Sequence, residues 1–247
     1  MKIVKNNKTF LLPELASVDG LGGHTIRTDD ETRAYSHGRI ETGDGKVDSK
    51  TIEVEVYIFG VNRLDHDQQY NSLLAAFNQK KYKLFVRDDR YMNIECMSKD
   101  THEWFKGFQF VRSKLTVTLK AIDPFWYDTG SIIERRTITE TPKTLIIDNP
   151  GNIDVSPVIT ITATNTCPSI LITNITDENR QFQYADLQLT AGSTVKIDCQ
   201  NGTVYRGTAN SLNAFNGTFL KLLPGENEIT YAGEDCVIDF EFTRRWL

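Results

Sequence analysis

No apolar run in the sequence approaches the ~20 residues needed to cross a bilayer, which argues against membrane insertion. Cysteine is scarce. Cys96, Cys167, Cys199 and Cys236 stand far apart with no C-x-x-C, so reduced packing cysteines are expected. The four histidines, His24, His37, His66 and His102, read as isolated in polar surroundings, without ligand spacing to a cysteine or to each other; no metal or other cofactor is expected. A basic excess is also missing. The formal net charge of −5 gives no general affinity for nucleic acid or anionic membrane. The opening MKIVKNNKTFLL has two early lysines but too short and broken an apolar stretch for a signal peptide, so synthesis in a cytoplasm is the expectation.

Catalytic constellations are absent as well. Gly20-Leu21-Gly22-Gly23 is a glycine cluster, but no buried strand leads into it and no helix pattern follows to hold a phosphate. The acids mostly alternate along strand faces (Glu53 and Glu55, Asp239 and Glu241), which marks solvated faces. A glycosidase needs two carboxylates at a set separation across a cleft, and no nucleophile, base and orienting group can be assembled here. The chain is not expected to be an enzyme.

What is present is a β pattern with one helix. TIEVEVYIFG, residues 51–60, alternates Ile52, Val54, Val56 and Ile58 against Glu53, Glu55 and Tyr57. In LDHDQQYNSLLAAFNQKKY, Tyr70, Leu73, Leu74 and Phe77 form one stripe of an amphipathic helix over about 65–80. Asp65 is the expected N-cap with Gln68 as its capping-box partner, and Lys80 and Lys81 suit the C-terminal end of the dipole. KLFVRDDRYMNIECMS reads as a hairpin turning at Asp88-Asp89. WFKGFQFVR and SKLTVTLKAI read as a further strand pair. Residues 18–47 have no sustained period and are rich in Gly, Asp, Thr and Arg. A loop of that length is commonly functional or disordered. It is either a flexible surface loop or an arm that orders on a neighbouring subunit, where Arg27, Asp29, Asp30, Glu31, Arg33, Arg39 and Glu41 suit intersubunit ion pairs.

The stretch LTVTLKAIDPFWYDTG ends a clean strand at Asp123-Pro124, because proline lacks the ladder N–H and restricts its predecessor. Three rings follow, Phe125, Trp126 and Tyr127. Beyond them the helix signal disappears, and short β-branched runs (PVITIT, SILITNI, TVKIDC, FLKLLPGENEITYAG, CVIDFEFTRRW) alternate with turns such as NPGN, TAGS, QNGT and FNGT. That spacing predicts an all-β sandwich. The expected organisation is a β-rich domain with one helix over 1–131 and a β-sandwich over 132–247. Asp123, Pro124, Phe125, Trp126 and Tyr127 form the junction and set the angle between the two. Among the rings of the second half, Phe240 and Phe242 belong to a core face, whereas Tyr205 and Phe215, in the turn-rich NGTVYRGTANSLNAFNGT, are the candidates for glycan stacking.

These pieces resemble the distal tail protein family, the baseplate hub of long-tailed siphophages. The carrying residues are the single helix and the RDDRYMNIECM hairpin, then a strand ending in Asp123-Pro124-Phe125. In the second half they are Asn149 to Gly151 with Pro157, Leu223-Pro224-Gly225 with Asn227, and Arg244-Arg245-Trp246. The resemblance spans essentially the whole chain, and the order and spacing of these motifs are more specific than any one of them. It implies a ring of six subunits at the virion tail tip, with N-terminal domains around a channel that DNA crosses and galectin- or carbohydrate-module-like sandwiches projecting outward. Implied partners are the major tail tube protein, the tail-associated lysin or tip protein, the tape measure protein and, in some phages, receptor-binding proteins. Some members carry an inserted carbohydrate-binding module in the second domain; about a hundred residues without a long insertion resemble the minimal form. The alternative is a monomeric carbohydrate-binding adhesin that recognises host surface glycans.

Overall fold

The computed structural model describes residues 1–247, which divide into two compact units, 1–126 with Leu247 and 127–246. Both are built of antiparallel strands, and the chain has one α-helix.

In the first unit one sheet has the order Ala16–Asp19, Lys50–Phe59, Arg112–Ala121, Cys96–Trp104. The other contains Lys8–Leu11, Lys2–Lys5, Tyr82–Phe85 and Arg90–Ile94 in that order. The alternation read in the sequence is the alternation of burial. Ile52, Val54, Val56 and Ile58 are buried on one strand and Leu115, Val117 and Leu119 on its partner, in register Leu115 to Val56 and Val117 to Val54. They share a core with Ile3, Leu84, Met92 and Ile94 of the second sheet and with Leu73 and Phe77 of the helix. Burial of this apolar surface is the main force holding the unit together.

The helix runs Arg63–Phe77, earlier than expected. Its N-cap is Asn62, not Asp65: the Asn62 side-chain oxygen accepts from the Asp65 N–H at 2.9 Å, while the Asp65 carboxylate accepts from the Val61 N–H at 2.8 Å. Asp65 is the N3 partner of a reciprocal cap. Leu73 and Phe77 of the expected stripe are buried, Tyr70 and Leu74 only partly so. The helix ends before Lys80 and Lys81, which therefore lie outside its last turn. The Asp88-Asp89 hairpin forms, pairing Leu84 with Met92. The strand expected at WFKGFQFVR does not: the strand before Arg112–Ala121 is Cys96–Trp104, and residues 105–111 are a turn. Gly107, Gln109 and Phe110 all have positive φ, a conformation no strand uses.

The second unit is a sandwich. One sheet runs Ile132–Ile138, Cys236–Phe242, Val158–Ala163, Thr194–Asp198, Thr203–Arg206, Ala209–Asn210. The other runs Lys143–Asn149, Gly225–Ala232, Ser169–Asn174, Arg180–Ala185, Phe215–Gly217. Their inner faces meet in one core that includes Ile159, Ile161, Ile238 and Phe240 from the first and Ile172, Phe182, Ile229 and Tyr231 from the second. FLKLL, expected to open a strand, is irregular apart from one bridge between Leu222 and Val155. All four cysteines are free thiols. Burial pushes Cys199 up to about 12 and Cys236 up to about 11, so both are protonated packing groups.

Candidate functional site

Residues 24–48 of the first unit form an arm. Two short strands, Asp30–Thr32 and Arg39–Glu41, pair with each other alone, and the legs are joined by a bridge between Ile26 and Val47. An Arg27 N–H to Lys46 carbonyl bond of 2.8 Å and an Asp48 N–H to Thr25 carbonyl bond of 2.7 Å close its root. Nearly every residue is exposed, and Tyr35, at a φ of 61°, stands fully in solvent at the tip. The period-two pattern was masked in the sequence because neither face of a projecting two-stranded ribbon is buried.

Of the seven charged residues expected to act on a neighbour, three are engaged within the arm. Arg27 pairs with Asp44 at 2.7 Å and Arg39 with Asp30 at 2.8 Å. Both pairs are largely exposed and contribute at most about 1 kcal/mol each; they shape the ribbon more than they stabilise it. Asp29, Glu31, Arg33 and Glu41 make no ion pair within the chain, and Ile26 and Ile40 add exposed apolar surface.

A second surface was not foreseen. Phe59, Val61, Leu64, Phe108 and Phe110 are all exposed, Val61 to 93%, and come together where the strand Lys50–Phe59, the helix N-terminus and the turn 105–111 converge. The Gly60 N–H donates to the Val111 carbonyl at 2.8 Å. Two arginines lie on these rings: Arg112 is 4.4 Å from the Phe108 centroid and 5.6 Å from that of Phe59, and Arg63 is 5.4 Å from that of Phe110. Guanidinium over a ring is attractive, and contiguous exposed apolar surface is a mark of contact sites. The signal was FGVNRL and FKGFQFVR, the second of which imitates an alternating strand.

Beneath Phe110 lies Trp104, edge-on at 5.4 Å, and behind it His102, His66 and Tyr70. The histidines are not isolated in polar surroundings. His66 is fully buried, its Nε2 2.7 Å from the buried Ser113 hydroxyl, and its ring centroid is 5.9 Å from that of His102. The helix and the strand Cys96–Trp104 bring together residues far apart in sequence, which spacing could not reveal. Burial, reinforced by His66, holds the His102 imidazole below its ordinary value, although Asp100 and Asp67 oppose it.

At the expected junction, Pro124 is buried and Trp126 packs on the first unit's core. Asp123 and Phe125 are partly buried. Within the second unit, Arg245 lies 5.8 Å from the Tyr127 ring centroid, the Trp246 indole N–H donates to Asp128 at 2.8 Å and Arg244 pairs with Asp128 at 2.5 Å. The arginines and tryptophan of the RRW motif thus tie the end of the second unit to its beginning.

Tyr205 and Phe215 do not converge. Tyr205, 39% exposed, is on one sheet of the sandwich; Phe215 is on the other, stacked between Phe182 at 5.1 Å and Phe219 at 4.4 Å. Its ring is partly buried and packs against the core. The turn motifs have structural reasons. The Asn227 side chain accepts from the Leu223 N–H at 2.8 Å and donates to the Leu223 and Gly225 carbonyls at 2.8 and 2.9 Å. Asn149 accepts from the Gly151 N–H at 3.1 Å, and a Cβ on Gly151 would lie 2.6 Å from the Arg245 carbonyl oxygen.

Residues 150–246 match the family described as siphovirus-type tail component, C-terminal domain. The whole chain shares the fold of the crystal structure of SPP1 Dit (gp 19.1), described as a paradigm of the hub adsorption apparatus in phages that infect Gram-positive bacteria. The TM-score is 0.78 at 14% identity, over 100% of this chain and 99% of that one. No curated protein sequence matches the chain.

Proposed function

We propose that the chain is a siphophage tail component of the distal tail protein family and the hub of the tail tip, a ring, six-membered as the family resemblance implies, that joins the tail tube to the adsorption apparatus and leaves a channel for DNA. The match of residues 150–246 carries this reading, and the fold shared with a hub protein over the full length supports it. The function is assembly, with no reaction of its own. Its neighbours are the tube protein, the tip protein or lysin and the tape measure protein, with receptor-binding proteins on the outer sandwich in some phages. An acidic chain suits DNA in transit, since a basic lining would hold phosphates.

The ring contact is heterologous, the arm of one copy on the apolar end of the next, and it closes because the rotation repeats to a full turn. Charge complementarity supports this pairing: Asp29, Glu31 and Glu41 are unpaired on the arm, Arg112 has no acidic partner, and Arg63 meets Asp67 only at 3.9 Å. Permanent contacts of this kind bury ~2,000 Å² or more. The separation of Tyr205 from Phe215 weighs against the monomeric adhesin. Negative-stain imaging of the purified protein tests the reading: rings support it, and single particles of one chain at every concentration refute it.

A further inference from the structure

The strand Lys50–Phe59 turns Ile52, Val54, Val56 and Ile58 into the core, and the first member of the same inward row is a lysine. Lys50 is only 7% exposed. Its ammonium donates to the Leu21 carbonyl at 2.7 Å and to nothing else, and no carboxylate lies within ion-pair distance. A buried charge without a counter-charge is costly. Burial alone pulls Lys50 below its ordinary value, and Lys50 helps to lower His24.

Lys50 is among the residues lining a cavity of about 450 Å³ at the root of the arm, with Gly22, Gly23, His24, Thr25, Ser49 and Pro124. The backbone N–H groups of Gly22 and Gly23 donate to no acceptor in the chain, and a Cβ at either would meet open space. Asp48, the one carboxylate at the rim, is exposed and accepts from the Ser49 N–H at 2.7 Å. The glycine cluster that lacks a following helix therefore still carries unbonded amides on the same cavity as a buried lysine, in a chain of net charge −5.

We propose that this cavity is an oxyanion site, in which the Lys50 ammonium and the Gly22 and Gly23 amides bind a phosphate or carboxylate group and so fix the root of the arm. Oriented amides and a cation around a concavity are the usual means of holding such groups. The group is either a free oxyanion or an acidic side chain of a neighbouring copy; the second source rests on the ring reading, the site itself does not.

The test uses the full chain, ¹⁵N-labelled, dilute and in low-salt buffer, titrated with inorganic phosphate. Saturable movement of the Gly22 and Gly23 amide resonances is expected, with a rise in Tm of about 2–4 °C per kcal/mol of binding. Lys50→Arg keeps the response and Lys50→Met loses it. A response that disappears once copies assemble identifies the neighbour's carboxylate as the resident group; one that survives assembly identifies a free oxyanion. Wild-type amides that do not move saturably, or a Lys50→Met chain that responds as wild type does, overturn the site.

Discussion

Arg112 lies over the Phe108 ring, 4.4 Å from its centroid, and also faces Phe59 at 5.6 Å. It is a cation without an acidic partner, set among exposed apolar side chains. On the account given above it meets a carboxylate of the next copy's arm. Arg112→Glu should weaken self-association at least tenfold, about 1.4 kcal/mol per interface, while the chain stays folded by circular dichroism. Sedimentation velocity measures this; an unchanged association constant would remove this end of the unit from the contact.

The His66–Ser113 pair gives a stability prediction. Both side chains are fully buried and 2.7 Å apart, so Ser113→Ala leaves a buried imidazole nitrogen without its partner. A loss of about 1–3 kcal/mol is expected in urea unfolding. A change within a few tenths would mean that the hydroxyl contributes nothing.

His102 ties stability to pH. Its folded value is depressed by burial and by His66, so the unfolded chain binds a proton more readily than the folded one. The stability that His102 contributes is complete above the unfolded value of about 6.5 and falls as pH drops from there toward the folded value. His24 is shifted in the same direction, so the specific measurement is a comparison. Urea midpoints of wild type and His102→Gln should converge between about pH 7 and pH 5; parallel curves would exclude the effect.

Asn227 anchors the turn before the strand Gly225–Ala232. Besides its three bonds to that turn, its side-chain oxygen accepts from the Asn174 side chain at 3.1 Å, and both residues are fully buried. Asn227→Ala should cost about 3 kcal/mol or more, through lost bonds and the groups left unpaired. A midpoint shift no larger than that of an exposed alanine substitution would contradict this role.

The fold was legible where one side of an element is buried. Ile52 to Ile58 and Leu115 to Leu119 show their alternation directly, and the Asp88-Asp89 turn stands between two such runs. It was illegible where burial imposes no period, as in the ribbon Asp30–Thr32 with Arg39–Glu41. The helix start was misread because Asp65 is a good cap by type, whereas Asn62 occupies the position. The apolar end was hidden because Phe105, Phe108 and Phe110 look like the rings of a strand until the positive φ angles of Gly107, Gln109 and Phe110 show a turn. His66 and His102 meet only through tertiary packing. Asn227 and Gly151 were visible as motifs, but their reasons, a four-bond side chain and an approach to the Arg245 carbonyl, needed the structure.

The central claim is that the arm joins copies of this chain into a ring. The most direct measurement is the mass by multi-angle light scattering over a concentration series, for the wild type and for a chain with residues 26–46 replaced by a short Gly-Ser turn. The account predicts that the wild type reaches six times its 28.1 kDa and that the shortened chain, still folded by circular dichroism, remains at the mass of one. A shortened chain that assembles as the wild type does, or a wild type that stays at one chain throughout, would contradict it.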